Sequence, residues 1–180
     1  MNIALIGLRG SGKSTLGPHV AGSLQRGFID LDRLIPGRLN AANIAQAWAT
    51  HGEAGFRTAE LEELRRVLEM YDDQIIALGG GTPTAPGVAD LLRKHRSTGD
   101  LRVFYLRGSA GTLRARLAIA DNAHRPSLTG ANPIDEIDAV LAARDPLYRS
   151  LADVVITIDD LPYDRVAQQL EDAVRSLTPW

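Results

Sequence analysis

The chain has 180 residues, the length of one compact domain, and its 44% hydrophobic and 23% charged residues are globular usage that excludes a disordered chain. A net charge of −2 gives no broad field for nucleic acid or anionic membrane, and the lack of cysteine excludes disulfide scaffolds, thiolate zinc sites and cysteine nucleophiles. No apolar run approaches the ~18 residues of a membrane span and no signal-peptide core opens the chain, so a soluble, cytoplasmic, monomeric protein without nucleic-acid or membrane partners is expected.

In chain order, apolar runs suited to buried parallel strands fall at Ile3–Ile6, Phe28–Ile29, Ile75–Leu78, Leu101–Leu106 and Val154–Ile158. Helical patterns fill the gaps at Ser14–Leu24, Glu60–Met70, Gly87–His95, Ser109–Ala120, Asp135–Arg144 and Tyr163–Leu177. The last is the clearest, with Val166, Leu170, Val174 and Leu177 along one face. The alternation predicts βαβ units around a parallel sheet, in a single domain over 1–180. Two segments read as irregular. Arg33–Asn43 contains Pro, Gly and two Asn, and Ala120–Pro133 contains two Pro, two Asn and a Gly. His51, His95 and His124 lack metal-ligand spacing and read as surface residues.

The strongest signal is Gly7-Leu8-Arg9-Gly10-Ser11-Gly12-Lys13-Ser14, a full G-x-x-x-x-G-K-[ST] loop between a strand and a helix. Glycines allow turns in which consecutive backbone N–H groups face phosphate oxygens, above the positive end of the following helix. Lys13 can reach the β- and γ-phosphates of a nucleotide, and the Ser14 hydroxyl can ligate Mg²⁺. All basic residues except Lys13 and Lys94 are arginine, so a lysine here marks a position that wants a compact point charge. Gly10, Ser11, Gly12, Lys13, Ser14 and Thr15 are therefore the nucleotide-binding candidates.

Phe28-Ile29-Asp30-Leu31-Asp32 puts two carboxylates two residues apart at the end of the second strand, where the pleat would aim both to one side at the carboxyl edge of the sheet. One could serve the metal, directly or through water, and the other an acceptor hydroxyl.

With these motifs in place, the sequence resembles the shikimate kinase family. The resemblance rests on Gly10–Gly17, Phe28–Asp32, Gly52-Glu53-Ala54-Gly55-Phe56-Arg57-Thr58-Ala59-Glu60 and Leu78-Gly79-Gly80-Gly81. It continues through Arg125-Pro126-Ser127-Leu128 and Arg144-Asp145-Pro146-Leu147-Tyr148, all in family order. It implies a three-layer α/β/α P-loop kinase with a five-stranded parallel sheet in order 2-3-1-4-5, a substrate flap over 33–61 and a mobile lid over 120–133. It also implies transfer of the ATP γ-phosphate to the 3-hydroxyl of shikimate, on the route to chorismate and aromatic amino acids. By position, Asp32 would hold the acceptor hydroxyl, Arg57 and Arg144 the substrate carboxylate, and Gly79, Gly80 and Gly81 would offer backbone contacts. Lys13 and the lid residue Arg125 would supply charge to the phosphates, Asp30 would join Ser14 at the metal, and Arg116 and Pro162 would flank the adenine.

Two arginine forks suit a carboxylate, and glycines let the main chain approach a small ring. The alternative for Arg57 is a pair with Glu60 on a helix, and for Arg144 an ion pair with Asp145. The chain departs from the family pattern at Pro36, in a Leu39–Ile44 stretch one residue longer, at Ser127, and in an Arg116–Arg125 interval two residues longer. The competing readings are a kinase for another polyol acid such as gluconate, and a nucleotide-binding regulator without turnover.

Overall fold

The computed structural model describes residues 1–119 and 136–177. Five parallel strands form one sheet in the order β2-β3-β1-β4-β5: β1 (Asn2–Ile6), β2 (Gly27–Asp30), β3 (Gln74–Ala77), β4 (Leu101–Arg107) and β5 (Val154–Thr157). The central strand β1 is buried along its length, with Ile3 in register with Ile75 of β3 and with Arg102 of β4. That two-sided burial explains its unbroken apolar run. Helices α1 (Lys13–Ser23), α2 (Leu31–Arg38), α3 (Ile44–Met70), α4 (Val88–Ser97), α5 (Ala110–Ile119), α6 (Ile137–Leu151) and α7 (Tyr163–Leu177) connect and flank the strands. Among the described residues no helix is long and apolar enough to cross a membrane.

Every strand expected from the apolar runs is present within a residue or so of its expected ends. Three expectations about helices need correction. The segment 33–43 is irregular only beyond Arg38, because α2 occupies its first part. Its Pro-Gly-Asn composition marks a helix end instead: Asn40 adopts φ +51°, and the Ala41 N–H returns to the Pro36 carbonyl at 2.9 Å. This is a Schellman closure, which releases the last carbonyls from solvation by water alone. The helix expected to begin at Glu60 begins at Ile44, capped by Asn43, whose side chain accepts from the Gln46 N–H at 2.9 Å. Gly52, at φ +66°, breaks it into two arms, which is why no single apolar stripe runs through it. Helix α6 likewise runs past Arg144 to Leu151. The segment 120–133, including Arg125 and Ser127, lies outside the described residues.

Candidate active site

The phosphate loop joins the carboxyl end of β1 to α1. Gly7, Gly10 and Gly12 adopt φ of +150°, +83° and +96°, which other residues rarely do. A Cβ on Gly7 would meet the Leu106 carbonyl oxygen at 2.6 Å, so the loop lies tightly against β4. Lys13 is buried, and its Nζ donates to the Gly7 carbonyl at 2.7 Å, the Leu8 carbonyl at 3.0 Å and the Ser11 hydroxyl at 3.2 Å. The ammonium is thus tethered inside the loop that it would serve. Ser14 and Thr15 are exposed at the start of α1, facing a cavity of about 530 Å³ that Gly10, Gly12, Lys13 and Arg116 also line. The Arg116 Nη2 donates to the Ile158 carbonyl at 3.3 Å, which draws α5 across the far end of this cavity. Pro162 does not line it, whereas its neighbour Tyr163 does, with its hydroxyl donating to the Thr15 carbonyl at 3.1 Å. Hard hydroxyl donors, an enclosed lysine and a helix N-terminus fit a nucleotide triphosphate and its magnesium.

Asp30 and Asp32 do not share one strand face. Asp30 is the last residue of β2 and the N-cap of α2, its Oδ1 accepting from the Asp32 N–H at 3.1 Å. Asp32 stands in the first helical turn and reaches both cavities of the site, while Asp30 is buried and lines neither. The chain turns from strand to helix between the two residues, which replaces the pleat periodicity with a helical one.

A second cavity, of about 120 Å³, adjoins the first. Its size suits a small ring rather than a nucleotide. Arg57, Arg144, Asp32 and the three glycines Gly79–Gly81 line its polar side, and Ile44, Trp48 and Phe56 an apolar side. Arg57 is buried on α3, with Nη1 donating to Glu60 at 2.7 Å and its guanidinium 5.3 Å from the Trp48 ring centroid. The ion pair weighed as an alternative for Arg57 therefore exists, and it leaves the same guanidinium on the cavity wall. Glu60 is itself buried and also accepts the Thr82 hydroxyl. Burial raises its carboxyl above the ordinary range, Arg57 and Thr82 pull it back, and nearby Asp32 pushes it up.

Arg144 does not pair with Asp145. Neighbours on a helix point about 100° apart, so Asp145 turns to β4 and accepts from Tyr105 at 2.9 Å and Arg107 at 2.8 Å. Arg144 turns to the cavity and donates to the Gly80 carbonyl at 2.8 Å. Each glycine of the 79–81 loop stands hard against another group of the site. A Cβ on Gly79 would meet Asp32, one on Gly80 would lie 2.9 Å from the Arg9 backbone nitrogen, and one on Gly81 would lie 2.8 Å from Arg57 Nη1.

Several residues in or behind the smaller cavity carried no role in the sequence reading. Tyr148, one helical turn after Arg144, donates to the same Gly80 carbonyl at 2.6 Å. Its i,i+4 spacing from Arg144 was a visible signal. Trp48 and Phe56, with ring centroids 5.2 Å apart, come together only because Gly52 kinks α3 between them. Among the described residues no group of three or more His, Asp or Glu could hold a metal without help from a ligand.

The comparisons with known proteins agree with this geometry. The family model for shikimate kinase matches residues 9–175. The chain is 37% identical over 179 residues to a shikimate kinase of Pseudomonas aeruginosa (strain LESB58), covering 99% of each sequence. It is 41% identical over 152 residues to one of Mycobacterium avium (strain 104), covering 83% of this chain and 80% of that one. Shikimate kinase from Acinetobacter baumannii, solved in complex with shikimate, superposes with a TM-score of 0.84 at 31% identity, covering 97% of this chain and 93% of that one. A deoxyadenosine kinase from M. mycoides shares the fold at a TM-score of 0.59 and 14% identity, covering 99% of this chain and 100% of that one. A family model matched over residues 9–175 and relatives 37% and 41% identical, on a chain that sets a phosphate cradle beside a small arginine-lined cavity, place this chain in the shikimate kinase family.

Proposed function

We propose that this chain transfers the γ-phosphoryl group of ATP to the 3-hydroxyl of shikimate. The observation that carries the reading is the pair of adjoining cavities, the larger built on the phosphate loop and the smaller holding Arg57 and Arg144. Two guanidinium forks on one wall of a small cavity suit a ring bearing one carboxylate, and the apolar wall of Trp48 and Phe56 suits its carbon skeleton.

Asp32 holds the acceptor hydroxyl and takes its proton as the oxygen attacks the γ-phosphorus. The bond from phosphorus to the β,γ-bridging oxygen breaks, ADP leaves, and the proton passes to solvent. Little covalent work falls to the protein, so alignment and positive charge dominate the rate. Lys13 and the backbone N–H groups of Gly10–Thr15 receive the phosphates, and Arg125, which lies outside the described residues, adds positive charge to them. Arg116 packs on the adenine, at the end of the cavity where Tyr163 rather than Pro162 forms the lining. Ser14 would hold Mg²⁺, which offsets phosphate charge when bound, and Asp30, which lines neither cavity, would act on that ion through water.

A coupled ADP-release assay with shikimate, gluconate and quinate tests the reading, with a Lys13→Ala preparation as the control for contaminating kinases. Shikimate-dependent turnover absent from the control is expected. Turnover on gluconate alone would make the chain a kinase of another polyol acid, and turnover on none would leave a nucleotide-binding regulator.

A further inference from the structure

The two cavities share a wall made by Arg9, Asp32, Gly80 and Leu117. Among the described residues, the other cations divide between the sides. Lys13 and Arg116 line only the nucleotide cavity, and Arg57 and Arg144 only the acceptor cavity. Arg9 alone of these lines both.

We propose that Arg9 is a further catalytic residue, whose guanidinium contacts the phosphoryl group as it crosses from one cavity to the other. The role rests on the shikimate kinase reading of the site. Arg9 stands at the crown of a tight turn, closed by the Ser11 N–H on the Leu8 carbonyl at 3.1 Å and permitted by Gly10 at φ +83°. The Gly79–Gly81 loop packs so closely on this turn that a Cβ on Gly80 would lie 2.9 Å from the Arg9 nitrogen. The root of the side chain is therefore fixed from both sides.

Transfer must take place across this wall, because the acceptor oxygen lies on one side and the leaving ADP on the other. The migrating group carries charge on its non-bridging oxygens, and a planar guanidinium can bond two of them at once. Asp32 and Arg9 then share the work at one place: the carboxylate takes the proton of the attacking hydroxyl, and the cation takes the charge of the group it attacks. Lys13, tethered within the nucleotide side, cannot follow the phosphorus across.

The test is steady-state kinetics on the whole chain with Arg9→Ala, Arg9→Lys and the length-conserving Arg9→Gln. Loss of the transition-state contact should lower kcat about 10²-fold, with KM for ATP and for shikimate changed less than about threefold. Arg9→Lys should recover part of the loss. Calorimetry supplies a second readout. In the wild type, fluoroaluminate added with Mg²⁺ should tighten joint binding of ADP and shikimate. Arg9→Gln should lose that tightening while binding ADP normally. A kcat within twofold of wild type, or a KM rise at unchanged kcat, overturns the role while leaving the kinase reading intact. A wild type inactive on shikimate overturns the reading and this role with it.

Discussion

The Tyr148 hydroxyl donates to the Gly80 carbonyl at 2.6 Å, and that oxygen also accepts Arg144 at 2.8 Å. One backbone oxygen therefore sets both the glycine loop and an arginine of the smaller cavity, the one proposed to bind the substrate carboxylate. Tyr148 is fully buried, and burial pushes its hydroxyl pKa up to about 12, so it remains a donor at any working pH. Its ring meets Tyr105 edge-on at 5.5 Å, which fixes the hydroxyl's direction. Tyr148→Phe should raise KM for shikimate about tenfold, the worth of one buried hydrogen bond, and leave KM for ATP unchanged. Equal changes in both constants would contradict this division.

Gly81→Ala should damage substrate binding rather than folding. Its φ of −112° suits any residue, but the added methyl would stand 2.8 Å from Arg57 Nη1. The guanidinium would have to leave either Glu60 or the cavity. We expect shikimate affinity to fall about ten- to a hundredfold, since a charge-assisted hydrogen bond is worth ~1.5–3 kcal/mol. Calorimetric titration with shikimate measures this directly, and unchanged affinity would remove Arg57 from the carboxylate site.

Asp30 and Asp32 should separate by role. Asp32→Asn keeps the shape of the side chain but loses the proton acceptor, so kcat should fall strongly even at saturating shikimate and Mg²⁺. Asp30→Asn keeps a good helix cap, whereas Asp30→Ala removes one and should cost about 1 kcal/mol of stability. Raising Mg²⁺ should restore part of the activity lost in Asp30→Asn. Rescue of Asp32→Asn instead would reverse the assignment.

Asp145 carries a pH signature. Burial raises its carboxyl, but hydrogen bonds from Arg149, Arg107 and Tyr105 outweigh that and hold its pKa below the ordinary value of 3.8. A depressed carboxyl contributes stability above its unfolded pKa and loses it as pH falls through the folded one. Asp145→Asn should therefore lower Tm at pH 7 and progressively less below pH 3.8. Thermal melts of both proteins across that range measure the gap, and a constant gap would mean that the network is not electrostatic.

The sequence by itself determined the sheet and the cradle. Each parallel strand left a largely apolar run, and the phosphate loop states its glycines, lysine and serine in a contiguous stretch of chain, so both are legible from local spacing. Local signals failed where one segment's conformation depended on another. Pro36, Gly37 and Asn40 read as a loop, yet α2 forms over 31–38 because Leu31 and Ile35 are buried in the core and Asn40 closes the helix end. Asp30 and Asp32 read as partners on a strand, yet the turn into α2 between them sends only Asp32 to the cavities. Arg144 could face Asp145 or turn to the cavity, and only the packing of α6 on β4 and the glycine loop decided it. Asp145 is drawn to Tyr105 and Arg107, while the next helical turn leaves Arg144 and Tyr148 together on Gly80. Pairings between residues some 65 positions apart carry no periodicity for a sequence to display, so the acceptor cavity exists only once the tertiary fold has closed it.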